Sequence, residues 1–242
     1  MSNIIIIGAT SGIGRECAKL FISKGYKVGI AGRRIEALKE LKELSTNNVF
    51  YKQIDVTKDD SISLLKELID DMGGTDIIFN CAGIGFQNRS LNVDTEIKIV
   101  NTNVVGFVKI ADFSFNYFSE IGKGHFAAIT SIAGTKGLGA SPAYSATKGF
   151  QNIYIQSLSQ LSKMNNADIT YTDIRPGFVD TDLLADSRKY PLLMNPEYVA
   201  KKIVRAIEHR KRVIVIDWKY KILVFFWRLI PNYLWERLPI KN

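Results

Sequence analysis

The sequence predicts a doubly wound α/β fold: one domain built on a seven-stranded parallel sheet flanked by helices, followed by a helical extension. Three observations carry this. Short β-branched runs alternate with longer stretches whose apolar residues recur at three and four, the pattern of βα units. A glycine-rich turn stands directly between the first run and the first amphipathic stretch. No Pro- or Ser-rich linker and no internal repeat interrupts the alternation over the 242 residues. With 46% hydrophobic residues there is apolar material for a sizeable core, which excludes a disordered or collagenous chain.

In chain order, Ile4–Gly8 is a run of isoleucines short enough for a strand covered on both faces, and Arg15–Lys24 follows with helical spacing. The same two signatures alternate through strand Lys27–Ala31 and helix Ile35–Leu44, then strand Val49–Ile54 and helix Ser61–Met72. Strand Asp76–Asn80 precedes a long helix, Asp94–Ile121, and strand His125–Thr130 precedes helix Tyr144–Lys163. Strand Ile169–Ile174, helix Pro196–His209 and strand Arg212–Ile216 complete a domain over 1–217, and 218–242 form the extension.

The 32 Lys and Arg against 24 Asp and Glu give a formal charge of +8, but its location matters more than its size. Residues 1–200 carry 21 basic and 21 acidic side chains, whereas 201–242 carry 11 and 3. A nucleic-acid partner is not expected, because the neutral body does not continue the basic surface. Two cysteines, Cys17 and Cys81, both in apolar segments, make no disulfide framework and point to a reducing compartment. His125 and His209 lie far apart and lack neighbours at ligand spacing, so no metal site is expected. The chain passes from Met1 directly into its isoleucines without a cationic leader, which predicts a cytoplasmic protein, free or peripheral at the inner face of a membrane.

The turn Gly8-Ala9-Thr10-Ser11-Gly12-Ile13-Gly14 lets the backbone approach a pyrophosphate lying at a positive helix N-terminus. The end of the second strand reads Ala31-Gly32-Arg33-Arg34, where a chain built for NAD presents a carboxylate to the ribose 2′-hydroxyl. Two guanidiniums there can pair with a 2′-phosphate, which favours NADP(H) over NAD(H). Further on, Tyr144 and Lys148 are four residues apart and share one helix face. An ammonium beside a phenol stabilises the phenolate and suits the tyrosine to general acid and base work. Ser131, thirteen residues before Tyr144, can hold a carbonyl oxygen while the proton moves.

Taken together with Asp55-Val56, Asn80-Cys81-Ala82-Gly83, Asn103 and Arg175-Pro176-Gly177 through Thr181, these motifs resemble the classical short-chain dehydrogenase/reductase (SDR) family over almost the whole chain. The resemblance implies a Rossmann-like domain and assigns roles. Tyr144 would be the general acid in reduction, Lys148 would lower its pKa and bond the nicotinamide ribose, and Ser131 would polarise the substrate carbonyl. Asn103, chosen over Asn101 because Gly106 follows it by three, would hold a water extending the proton relay from Lys148. The turn from Gly8 to Gly14, with Thr10, Ser11, Gly12 and Ile13, would cradle the dinucleotide, and Asp55 and Val56 would border the adenine. Asn80, Ala82 and Gly83 would line the groove, and the stretch Pro176, Gly177, Val179, Thr181 would seat the carboxamide. Ile7 and Cys81 depart from the family pattern, and both read as packing residues.

Specificity falls to the loops at the strands' carboxyl ends, here Gly85–Leu91, Ile132–Ala140 and Asp182–Asn195, whose leucines favour a small apolar carbonyl or alcohol substrate. The rival readings are a 3-oxoacyl-carrier-protein reductase and a non-catalytic nucleotide-sensing protein. Family members commonly assemble through their long helices, so a homo-oligomer, dimer or tetramer, is expected. The segment 218–238 interleaves aromatics with Lys219, Lys221, Arg228 and Arg237, and its longest uncharged run is too short to span a bilayer. Two readings remain open for it: peripheral contact with a membrane interface, or packing against protein.

Overall fold

A computed structural model describes residues 2–184 and 190–240. Strands β1 (Asn3–Ile7), β2 (Lys27–Gly32), β3 (Val49–Gln53), β4 (Ile77–Asn80), β5 (Lys123–Ile129), β6 (Asp168–Pro176) and β7 (Val213–Ile216) form one sheet. Their order is β3-β2-β1-β4-β5-β6-β7 and every pairing is parallel. The strands fall where the apolar runs place them, with β6 reaching two residues further because Arg175 and Pro176 pair with Val215 and Ile216.

Helices α1 (Gly12–Ser23), α2 (Ile35–Glu43), α3 (Ser61–Asp71), α4 (Val93–Val100), α5 (Phe107–Glu120), α6 (Pro142–Met164) and α7 (Pro196–Glu208) cover the two faces. Successive side chains of β1 alternate between those faces. Ile4 and Ile6 enter a core with Phe21 of α1 and Ile203 of α7, whereas Ile5 and Ile7 meet Leu68 of α3, Ile110 of α5 and Ile155 of α6. All four isoleucines are buried, and each contributes roughly 1.5–3 kcal/mol relative to an exposed side chain. This two-sided demand explains the unbroken isoleucine run.

The structure corrects the long helix expected over Asp94–Ile121. Asn101–Gly106 form a π-helical turn between α4 and α5. Apolar periodicity carries through such a turn, so spacing alone does not reveal it, and π-turns concentrate at functional sites. Helix α1 also begins at Gly12, three residues before the expected start, directly out of the glycine-rich turn.

The chain winds outward from β1 to β3 and then returns to β4 on the other side of β1. The crevice at this reversal lies beyond the carboxyl ends of β1 and β4, where ligands of open α/β sheets bind. Beyond β7, helices α8 (Trp218–Leu229) and α9 (Asn232–Trp235) pack back on the body, with Tyr220 and Val224 joining the core. Among the described residues, no helix is long and apolar enough to cross a membrane.

Candidate active site

The glycine-rich turn is built by a close backbone approach. Gly8 has φ +89°, and a Cβ on it would lie 2.7 Å from the backbone nitrogen of Ala82, so the loops after β1 and β4 pack main chain to main chain. Gly8 and Ala9 N–H both donate to Ala31 O, at 2.8 and 3.0 Å, and Cys81 N–H donates to Ile7 O at 2.8 Å. Ser11, the N-cap of α1, makes no side-chain capping bond, and the first turn, with Ile13 and Gly14, carries no acidic residue. That helix end presents free N–H groups and positive potential to the crevice.

Thr10 connects this turn to the end of β2, accepting a long hydrogen bond from Arg34 Nη2 at 3.4 Å. Arg33 and Arg34 are exposed there. Arg34 also lies 3.6 Å from Asp182 across the crevice, an exposed pair worth at most about 1 kcal/mol. Asp55, beyond β3, accepts from Thr57 N–H at 3.0 Å and its hydroxyl at 2.8 Å. Burial pushes its carboxyl up, but these bonds and the charges of Arg33 and Lys58 outweigh it and hold the pKa below the usual value.

Val56 is buried under Gly106 of the π-turn. Asn80 Oδ1 accepts from Ala82 N–H at 3.0 Å and shapes the turn into Gly83, which lies against Asn103 and Lys148. On the far wall, Pro176 ends β6, the Thr181 methyl lies over Gly12, and Val179 bridges to Met194. Gly177 is glycine for a tertiary reason: a side chain there would collide with the ring of Tyr220.

Ser131 follows β5. Its hydroxyl accepts from Ala133 N–H at 3.0 Å and makes a long contact with Pro176 O at 3.5 Å. Tyr144 lies in the first turn of α6, with Gly85 so close beneath its ring that a Cβ would meet it at 2.6 Å. The start of α6 is capped from outside. Ser141 makes no side-chain cap, and Glu96 of α4 accepts from Ala143 N–H at 2.9 Å while its other oxygen accepts from Asn88 at 2.8 Å. A carboxylate at this position also suits the positive helix end.

Lys148 Nζ is 5.8 Å from the centroid of the Tyr144 ring. It donates to Ile129 O at 3.0 Å and to Gln151 Oε1 at 3.0 Å, so it is held beside the phenol and bonded elsewhere. The expected lowering of the tyrosine pKa by Lys148 is therefore not what this structure displays: burial pushes Tyr144 up, opposed by its hydrogen bond with Ser131. Burial also pushes the Lys148 ammonium down to about 8, against the favourable charge of Asp173. Asp173 is itself held by Thr130 at 2.6 Å and Arg175 at 2.6 and 2.8 Å.

Between Lys148 and Asn103 stands Gln151. Gln151 is fully buried, and its Nε2 donates to Asn103 O at 2.8 Å while its oxygen accepts from Lys148. The Asn103 side chain accepts from Ile84 N–H at 2.9 Å and donates to Ile84 O at 2.8 Å, which pins the loop after β4. Sequence reasoning missed Gln151, although it lies three residues from Lys148 and so on the same helix face. It also missed Glu96, which carries no local signal because its contact spans 47 residues. Burial raises the Cys81 thiol well above its ordinary value, consistent with a packing role. His125 is buried and neutral, bonded to Thr172 at 2.8 Å, with burial pushing it down to about 4.

Of the three specificity loops, Gly85–Leu91 and Ile132–Ala140 are fully described, whereas residues 185–189 of Asp182–Asn195 lie outside the described residues. Phe86, Leu91, Leu183, Leu192 and Leu193 stand exposed on them.

Residues 2–191 match the family model described as short chain dehydrogenase. The mouse dehydrogenase/reductase SDR family member 7B is 30% identical over 252 residues, covering 95% of this chain and 77% of that protein. An uncharacterized oxidoreductase of Mycobacterium tuberculosis is also 30% identical, covering 97% of this chain and 96% of the relative. Among solved structures, an alcohol dehydrogenase from the archaeon Thermococcus sibiricus, complexed with 5-hydroxy-NADP, superposes with TM-score 0.79 at 21% identity, covering 89% and 96% of the two chains. A 3-ketoacyl-(acyl-carrier-protein) reductase from Brucella melitensis, complexed with NADH, gives TM-score 0.78 at 24% identity over 89% and 96%. These structural likenesses speak for the fold, a Rossmann-like parallel sheet. The family match, which reaches from the first strand past the Tyr144 helix, goes further: this chain belongs to the short chain dehydrogenase family.

Proposed function

We propose that this oxidoreductase uses NADP(H) to interconvert a carbonyl and a secondary alcohol on an apolar substrate, with Tyr144 as general acid and base. One observation carries the reading: Ser131 and Tyr144 meet at the carboxyl edge of the sheet, with Lys148 behind them, beside an uncapped helix N-terminus. The chain's residues fit the cofactor. The free amides of α1 suit a pyrophosphate, and Arg33 and Arg34 stand exposed where a 2′-phosphate would be bound. When bound, NADP(H) supplies or takes up the hydride.

The protein's part is to hold the carbonyl and move one proton. Burial keeps Tyr144 protonated at neutral pH, the form in which its hydroxyl donates to a carbonyl oxygen during reduction. Ser131 orients that oxygen, and the nearby Lys148 ammonium stabilises the phenolate as the proton leaves. Exposed apolar side chains on the specificity loops support a hydrophobic substrate.

The test is NADPH oxidation by the purified protein with hydrophobic ketones, steroids and acyl thioesters. Tyr144→Phe lowers turnover by roughly 10²–10⁴-fold, and a variant that keeps most of its activity overturns the mechanism. A homo-oligomer belongs to the same reading. Val93 and Ile97 on α4 and Ile153 on α6 are exposed and suit a second copy, so light scattering giving a monomer mass counts against it.

A further inference from the structure

We propose that the outer face of α8 and the segment after it rests on an anionic lipid bilayer. Along α8, Tyr220, Val224 and Trp227 turn toward the body. The opposite side of a surface helix is ordinarily polar. Here Trp218, Ile222, Phe225 and Leu229 form a second apolar stripe at helical spacing, exposed by 63, 48, 61 and 65%, with Phe226 beside it at 61%. At about 100° per residue, Lys221 and Arg228 fall along one edge of this stripe and Lys219 along the other. Past Pro231 the pattern continues with exposed Tyr233, Leu234 and Leu238 beside Arg237.

The edging cations identify the occupant. Aromatic and aliphatic side chains enter the boundary between headgroups and acyl chains, while Lys and Arg reach back to lipid phosphates. A protein partner selects against lysine in such a patch. A second copy would set this face, with four cations and the single acid Glu236, against its own like charge. Among the described residues no helix is long and apolar enough to cross a membrane, and the proposed contact is a peripheral one.

The underside of the same segment holds two of the specificity loops. Trp227 Nε1 donates to Thr135 at 2.9 Å, Trp235 Nε1 to Gly137 O at 2.7 Å, and Lys136 Nζ to Ile230 O at 2.9 Å, all in the loop that begins at Ser131. The Tyr220 hydroxyl accepts from Phe178 N–H at 3.0 Å and lies 2.9 Å from Pro191 O in the loop after β6. The bilayer is thus one helix away from the substrate mouth. Resting on the oxidoreductase reading above, the substrate class becomes a ketone or alcohol dissolved in lipid.

The experiment is flotation of the full chain with vesicles of two parts phosphatidylcholine to one part phosphatidylglycerol, and with phosphatidylcholine alone. The protein floats with the anionic vesicles and much less with the neutral ones. Phe225→Ser with Phe226→Ser lowers the floated fraction at least tenfold with unchanged melting temperature, and Lys219→Glu with Arg228→Glu removes the anionic preference. A parent protein that stays at the bottom with both vesicles overturns the proposal, as does a serine double variant that floats like the parent. If that variant instead lowers the oligomer mass while the parent fails to float, the face is a protein interface. Turnover is read separately: a long-chain ketone in vesicles is reduced more slowly by the serine variant and a water-soluble ketone equally well. If the parent reduces neither ketone, the oxidoreductase reading fails while flotation still decides the surface.

Discussion

Replacing Gln151 by Leu removes the amide oxygen that accepts from the Lys148 ammonium at 3.0 Å and the amide nitrogen that donates to Asn103 O at 2.8 Å. Both lie in a buried site, where water does not readily replace them. A hydrogen bond to a charged group is worth about 1.5–3 kcal/mol, and about 1.4 kcal/mol is a factor of ten in a protonation equilibrium. The lost bond favoured the charged form, so Gln151→Leu pushes Lys148 further down from its value of about 8. The basic limb of the kcat/KM profile for ketone reduction falls by roughly one pH unit or more. Gln151→Glu, which sets a carboxylate at the same place, moves the limb upward. The assay is NADPH oxidation from pH 6 to 10, with circular dichroism confirming that each variant is folded. A basic limb that stays in place in both variants, or moves the same way in both, refutes the assignment of Gln151 as the residue that positions and charges Lys148.

Three further outcomes are expected. Replacing Arg33 and Arg34 by Ala weakens NADPH binding by about tenfold to a hundredfold and NADH binding only a few-fold, because only the former carries the 2′-phosphate; an equal loss in fluorescence titrations removes these residues from cofactor selection. In the ligand-free protein Lys148 has a depressed folded pKa, so between about pH 8 and the unfolded value of 10.5 the unfolded state binds more protons and stability rises with pH. Urea unfolding at pH 7.5 and 9.5 therefore shows the parent gaining about 2 kcal/mol relative to Lys148→Met, and a parallel response of the two excludes the depressed pKa. Glu96→Ala uncaps α6 and costs about 1–2 kcal/mol in thermal unfolding, with a loss of kcat from a misplaced Tyr144 and partial rescue by Glu96→Gln; an unchanged kcat shows that the cap does not position the tyrosine.

What the sequence determined by itself rests on short-range signals. Four successive isoleucines demand a strand buried on both faces, glycines at a strand-to-helix turn demand close backbone approach, and Tyr144 with Lys148 share a helix face by spacing alone. Each of these requirements is written within a few neighbouring residues, so the fold class and the parallel sheet were legible before any coordinates. The tertiary structure decided what depends on contacts between distant segments. The π-turn that aims Asn103 at Ile84 leaves hydrophobic periodicity intact, and Glu96 reaches the start of α6 only because α4 lies against it. The charge state of the Tyr144 and Lys148 pair is set by burial, a property of everything packed around it, which is why spacing suggested a lowered tyrosine pKa and the structure places it higher. The basic aromatic tail follows the same rule: its composition named two surfaces, and only its docking showed which side of α8 is spent on the body and which, edged with cations, is left to face outward.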